Sequence, residues 1–162
     1  MNRKIKKKYR FTEETMEIGG HVLNRIIALR DFREVKKGDL GGFIEKESNL
    51  AHDLNCWIYN DAKVYSNAMV YGNAMVYGNA EVYGDAMVYG NAKVEKKSDY
   101  IVFKNWWSSG RYFTWTRSND MWSVGCFYGT GEELITRAYK DSEEKGREYK
   151  RIVKYVESIK SV

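Results

Sequence analysis

Few side chains in this sequence have the type and spacing to do chemistry. His21 and His52 are the only two histidines in 162 residues. His52 is followed directly by Asp53, a pairing that suits a general base: the carboxylate orients the ring, and the ring takes a proton from a hydroxyl or amine. Two histidines fall short of a three-histidine metal centre. No Gly-rich phosphate loop and no nucleophile-base pair of recognisable spacing is present. Neither a metal nor a cofactor is expected, and no residue is assigned to catalysis unless His52 and Asp53 serve that way. A second cluster, Trp106-Trp107-Ser108-Ser109-Gly110-Arg111-Tyr112, sets two hydroxyls, a pliable amide and a guanidinium at one turn between aromatic rings. Ser108, Ser109 and Arg111 suit a phosphate, while Trp106, Trp107 and Tyr112 suit a stacked base. An ordinary hairpin turn with core tryptophans accounts for the same residues.

The element that must position these groups is a repeat. From Asn60 to Val94 the sequence recurs every six residues as Ala-x-Val-Tyr followed by a two-residue bend, most often Gly-Asn. Alternation along each short strand puts Ala and Val on one side and x and Tyr on the other. A strand this short cannot bury its own apolar side, so the units must stack. Three units per turn give a triangular tube in which residues eighteen apart lie one above another: Ile58, Val76 and Val94; Val64 and Val82; Val70 and Val88. Ile44 and Leu50 lead in at the same spacing, but Leu50 and Ile58 are eight apart, so two extra residues bulge around Ala51-His52-Asp53-Leu54. Nine units make three coils.

The six-residue pattern resembles the left-handed parallel β-helix of hexapeptide-repeat proteins, a group that includes many acyltransferases. The lead-in Leu23 to Phe32, with Gly38-Asp39-Leu40-Gly41-Gly42-Phe43-Ile44-Glu45, resembles the entry segment of a bacterial and bacteriophage branch known only as transferases by assignment. Left-handedness, trimeric assembly and a CoA-dependent acyltransferase activity with His52 as base are what this resemblance implies. The stretch Trp122 to Thr130 with the helices after it is similar to a tail module of small bacterial and phage proteins.

The net charge of +5 is concentrated at one end: Arg3, Lys4, Lys6, Lys7, Lys8 and Arg10 carry six positive charges with no acid among residues 1–10. The remainder is nearly neutral. A basic tail attracts phosphate, but nothing in the body continues the stripe, so the tail reads first as a solvated end and only second as a nucleic-acid contact. No apolar run approaches the ~20 residues that span a bilayer, and the basic start has no apolar stretch behind it. A cytoplasmic protein with Cys56 and Cys126 as thiols is expected, with no membrane partner.

Three segments follow. Residues 1–37 form a basic tail and a β-rich cap over one end of the tube, residues 38–98 the repeat, and residues 99–162 an antiparallel meander with two helices. The expected meander strands are Tyr100–Trp107, Arg111–Arg117 and Met121–Phe127. In the middle strand Arg111, Phe113, Trp115 and Arg117 share one side, and Tyr112, Thr114 and Thr116 the other. Thr130 and Glu133 have the spacing of a capping box, and Tyr149, Ile152, Val153, Val156 and Ile159 form one apolar helix stripe. The fold class is therefore mainly β.

Outward positions on the tube are apolar on two faces: Trp57, Tyr59, Met75 and Tyr77 on one, Met69, Tyr71, Met87 and Tyr89 on another. Bare faces of this size exceed what monomers tolerate. The chain's own helices are expected to cover one and a homotrimer interface the other. The leading functional expectation is a non-enzymatic oligomeric binding protein, phage or prophage encoded, that inhibits a host defence component. It would do so by binding a host bacterial protein or by sequestering a small anionic nucleotide. The acyltransferase reading is the alternative.

Overall fold

A computed structural model describes residues 4–105 and 110–161. The chain is mainly β with two helices. It opens with a hairpin of β1 (Tyr9–Ile18) and β2 (His21–Ala28), turned by Gly19-Gly20, both with positive φ. β2 pairs antiparallel with β3 (Leu40–Ile44), which feeds the repeat.

The repeat consists of seven two-residue strands: β4 (Trp57–Ile58), β5 (Lys63–Val64), β6 (Met69–Val70), β7 (Met75–Val76), β8 (Glu81–Val82), β9 (Met87–Val88) and β10 (Lys93–Val94). All pair in parallel with the strand eighteen residues away: Val64 with Val82, Val70 with Val88, and Val76 with both Ile58 and Val94. Before the bulge the offset is twenty, with Ile44 opposite Val64 and Leu50 opposite Val70. The two extra residues around His52 thus fall between Leu50 and Ile58, ahead of the column that Ile58 starts. The valines are at most 1% exposed, as are the alanines of the column from Ala62 to Ala92. Tyrosines stack outside in pairs, Tyr59 on Tyr77, Tyr65 on Tyr83 and Tyr71 on Tyr89, with ring centroids 5.5, 5.3 and 4.3 Å apart.

Each bend begins with a residue in the left-handed region, which only Gly enters freely. Gly72, Gly78, Gly84 and Gly90 have φ between 64° and 68°, and Asn60 and Ser66 fill the same place at 55° and 59°. Leu54 holds this conformation too, at φ 55°, with its side chain 58% exposed. Leu54→Gly is therefore expected to stabilise the chain by about 0.5–1 kcal/mol in denaturant melts by relieving strain at no packing loss.

Beyond the repeat a 3₁₀ turn (Lys97–Asp99) leads into a four-stranded antiparallel meander of β11 (Tyr100–Lys104), β12 (Tyr112–Thr116), β13 (Met121–Val124) and β14 (Phe127–Gly129). Gly125-Cys126 turns the chain into a fourth strand where the sequence reading had three. α1 (Gly131–Asp141) starts at the expected capping box, the Glu133 amide donating to Thr130 Oγ1 at 3.2 Å and the Thr130 amide to Glu133 Oε2 at 2.9 Å. α2 (Glu143–Ile159) follows after Ser142.

The alternation in β12 separates two jobs. Phe113 and Trp115 join Trp122, Val124, Leu134, Tyr149, Val153 and Val156 in a second core against the helices. On the opposite side Thr114 Oγ1 accepts from the Met87 amide at 2.9 Å, and Tyr128 meets Tyr89 edge-on at 4.7 Å. It is thus the meander, not the helices, that lies on the Met87 and Tyr89 side of the repeat, because the helices need the aromatic side of β12 and β13 for their own stripe. Cys56 is buried and Cys126 exposed, both as free thiols. Among the described residues no helix is long and apolar enough to cross a membrane.

Candidate functional site

The expected base is closed off. His52 sits in the bulge, its ring stacked on Tyr9 at 4.2 Å, and its Nδ1 accepts the Lys8 backbone N–H at 3.1 Å. That bond puts the ring proton on Nε2, an atom with no hydrogen-bond partner and essentially no exposed surface. Glu47 Oε1 lies 3.9 Å from it. Asp53 is exposed and makes no side-chain bond to the ring. A base must reach its substrate's proton, and neither nitrogen of His52 is presented to one. Burial lowers the pKa of His52 below its ordinary 6.5. The unfolded chain therefore binds more protons just below that value, and stability falls as pH drops below 6.5 toward the folded pKa. A pH series of denaturant melts should show this slope, and His52→Gln should flatten it.

His21 is placed differently. Its Nδ1 lies 2.9 Å from Glu45 Oε1, and the other Glu45 oxygen accepts the Ser66 backbone N–H at 2.6 Å. The bond to His21 holds the Glu45 carboxyl below its usual range, with the Ser66 amide adding to it. With the carboxylate on Nδ1–H, Nε2 is left as an acceptor on a ring whose side chain is 35% exposed. The ring also leans on Tyr65 at 5.1 Å. Sequence spacing does not show this dyad: only the antiparallel register setting Asn24 opposite Ile44 brings the start of β2 beside Glu45.

Tyr65 continues the line to Tyr83, and beyond Tyr83 the repeat and meander part to leave a cleft of about 340 Å³ lined by Tyr83, Tyr100, Tyr112, Asp85, Lys97 and Val102. Lys97 Nζ lies 5.8 Å above the Tyr83 ring and 3.1 Å from Glu81. Lys104 Nζ stands 5.7 Å from the Tyr112 ring. Burial pushes the Tyr100 phenol up to about 12, and its hydroxyl donates to the Glu81 carbonyl at 2.9 Å. The cleft therefore offers three aromatic rings and the Lys97 ammonium, which Glu81 partners, with Lys104 beside the Tyr112 ring, the pieces that take a planar anion.

Of the turn residues singled out from sequence, Trp106, Trp107, Ser108 and Ser109 lie outside the described residues. The Asn105 amide donates to the Arg111 carbonyl at 2.8 Å. Tyr112 opens β12 and lines the cleft, whereas Arg111, the residue before the strand, lines a small hollow with Phe127, Arg137 and Asp141 on the helix side. The two line different hollows, so they do not share a ligand within one chain.

The outward apolar positions are unequally covered. Trp57 is 1% exposed beneath Phe32 and Tyr9, so the N-terminal segment already takes up its surface. Tyr59 reaches Glu34 at 3.5 Å. Met75, Tyr77, Tyr71, Met87 and Tyr89 are half-buried, and Met69 is 44% exposed. Among the described residues no three His, Cys, Asp or Glu side chains converge as metal ligands.

No known protein-family profile matches the chain. A stretch of it is similar to an uncharacterized acetyltransferase, YdcK, of Escherichia coli (strain K12), 39% identical over 62 residues, which is 33% of this chain and 19% of that protein.

Proposed function

We propose that the chain is a non-enzymatic binding protein built on a short left-handed parallel β-helix, with its ligand in the cleft of Tyr83, Tyr100 and Tyr112. The eighteen-residue parallel register supports the β-helix, and the hand follows the resemblance. The observation that carries the binding reading is the cleft itself: aromatic walls from two parts of the fold with Lys97 and Lys104 beside them. In this reading the protein is phage or prophage encoded, assembles as a homotrimer through its remaining Met and Tyr faces, and acts in the host cytoplasm. There it inhibits a defence component by covering a protein surface or by sequestering an anionic nucleotide signal. Calorimetry with cyclic and ADP-ribose-type nucleotides is the test. Tyr83→Ala and Tyr112→Ala should each weaken binding about 10-fold or more, as loss of one stacking ring does. No heat with any of these nucleotides removes sequestration, and a monomer in light scattering at micromolar concentration removes the trimer.

A second reading, acyl transfer from a CoA thioester, is favoured by the His21–Glu45 dyad and by the acetyltransferase relative. The base is then His21 rather than His52. Glu45 orients the ring while Nε2 removes the acceptor's proton. Thiol release from acetyl-CoA should fall about 100-fold in His21→Gln and stay unchanged in Asp53→Asn. Equal rates in His21→Gln and the unmodified chain dispose of this reading.

A further inference from the structure

Lys8 precedes β1, and its side chain is fully buried, at 0% exposure, a rare position for lysine. Its ammonium group has no carboxylate among its hydrogen-bond partners. Nζ lies 2.7 Å from the Cys56 carbonyl, 3.4 Å from the Leu54 carbonyl and 3.3 Å from Cys56 Sγ. The Phe32 ring lies 5.2 Å from Nζ. Cys56 is likewise 0% exposed, its Sγ 3.4 Å from the Ala51 carbonyl. Burial lowers the lysine's pKa and raises the thiol's. A buried amine and a buried thiol thus face each other within 3.3 Å, closed to bulk solvent. Neither the cleft nor the His21 dyad uses them.

We propose that Lys8 and Cys56 are a modification site, at which dioxygen converts the pair to a reducible N–O–S link between Nζ and Sγ. The net step is amine plus thiol plus dioxygen to the linked product plus water. One N–H and the S–H bond break, and N–O and O–S bonds form around one oxygen atom. The second oxygen leaves as water with those two hydrogens. Nitrogen and sulfur each lose two electrons, and dioxygen takes all four. Two equivalents of a dithiol return the four electrons and restore amine and thiol, releasing the bridging oxygen as water. The 3.3 Å separation places an inserted oxygen between the two atoms with only small rotamer movement, whereas a lysine free to swing would not stay in register with the sulfur. The link joins the start of the N-terminal hairpin to the residue before β4, forty-eight residues away in sequence, and so closes a long loop.

The test is peptide mapping by mass spectrometry of the full chain carrying Cys126→Ser, which removes the exposed thiol. One sample is handled in air, another anaerobically with dithiothreitol. In air, a species is expected that joins the Lys8 and Cys56 peptides and is heavier than their sum by one oxygen less two hydrogens. It should vanish on adding dithiothreitol and be absent from Lys8→Arg and Cys56→Ser. The air-handled chain should also melt at a higher temperature than the reduced one. Should the variants fail to fold, the two samples of the Cys126→Ser chain decide alone. Recovery of Cys56 in air wholly as thiol, or as sulfinic or sulfonic acid with Lys8 unlinked, overturns the proposal. So does survival of the heavier species in Cys56→Ser.

Discussion

Val76→Asp is expected to yield no folded protein. Val76 is 0% exposed and sits in parallel register between Ile58 and Val94, so a carboxylate there loses its water and gains no partner. The loss is at least about 4 kcal/mol, a large part of the roughly 5–15 kcal/mol that holds a domain together. Circular dichroism should show no cooperative melt. Val76→Ala removes the same packing without the charge and should retain a cooperative transition at lower temperature, with a loss of about 2 kcal/mol. Should Val76→Asp melt within a few degrees of the unmodified chain, the stacked interior is wrong.

Gly42→Ala is the second large effect, and it arises from space, not from backbone freedom. Gly42 lies on β3, and a methyl group there would run into the Ala62 carbonyl oxygen and Ile58 Cγ2. The first is backbone in a parallel ladder and the second fills the interior, so neither can swing aside. A loss of about 2–3 kcal/mol is expected. Gly84→Ala makes the contrast: its φ is +68° with nothing within 4 Å, so only the left-handed strain remains, about 1 kcal/mol. Denaturant melts of the two variants side by side check the order, and equal losses would contradict this account of β3.

The repeat was readable because its period forces burial. Valines eighteen apart have only each other to pack on, and the pairs Val64–Val82 and Val70–Val88 follow. The capping box at Thr130 and the split of β12 into Phe113 and Trp115 against Thr114 and Thr116 were legible for the same reason: local spacing decides them. Contacts made across sequence were not. Nothing local to His21 announces Glu45, and nothing local to His52 announces that Tyr9 and Lys8 close over it. Trp57 shares its place in the unit with Met75, yet Phe32 and Tyr9 pack on its ring and it is buried where Met75 is half-buried. The cleft belongs to no segment, since Tyr83 comes from the repeat and Tyr100 and Tyr112 from the meander.

Near-identical units carry a hidden liability. Sliding one coil along the next by a whole turn keeps valine on valine and tyrosine on tyrosine, so the units cannot count themselves. What numbers them is the irregular corner after Leu50, where the Tyr9 hydroxyl donates to the carbonyls of Leu50 at 2.6 Å and Glu47 at 3.0 Å and Lys8 fastens those of Leu54 and Cys56. That corner occurs once, so winding has a single origin, and an eight-residue gap that looks like a blemish in the pattern keeps every later turn in phase.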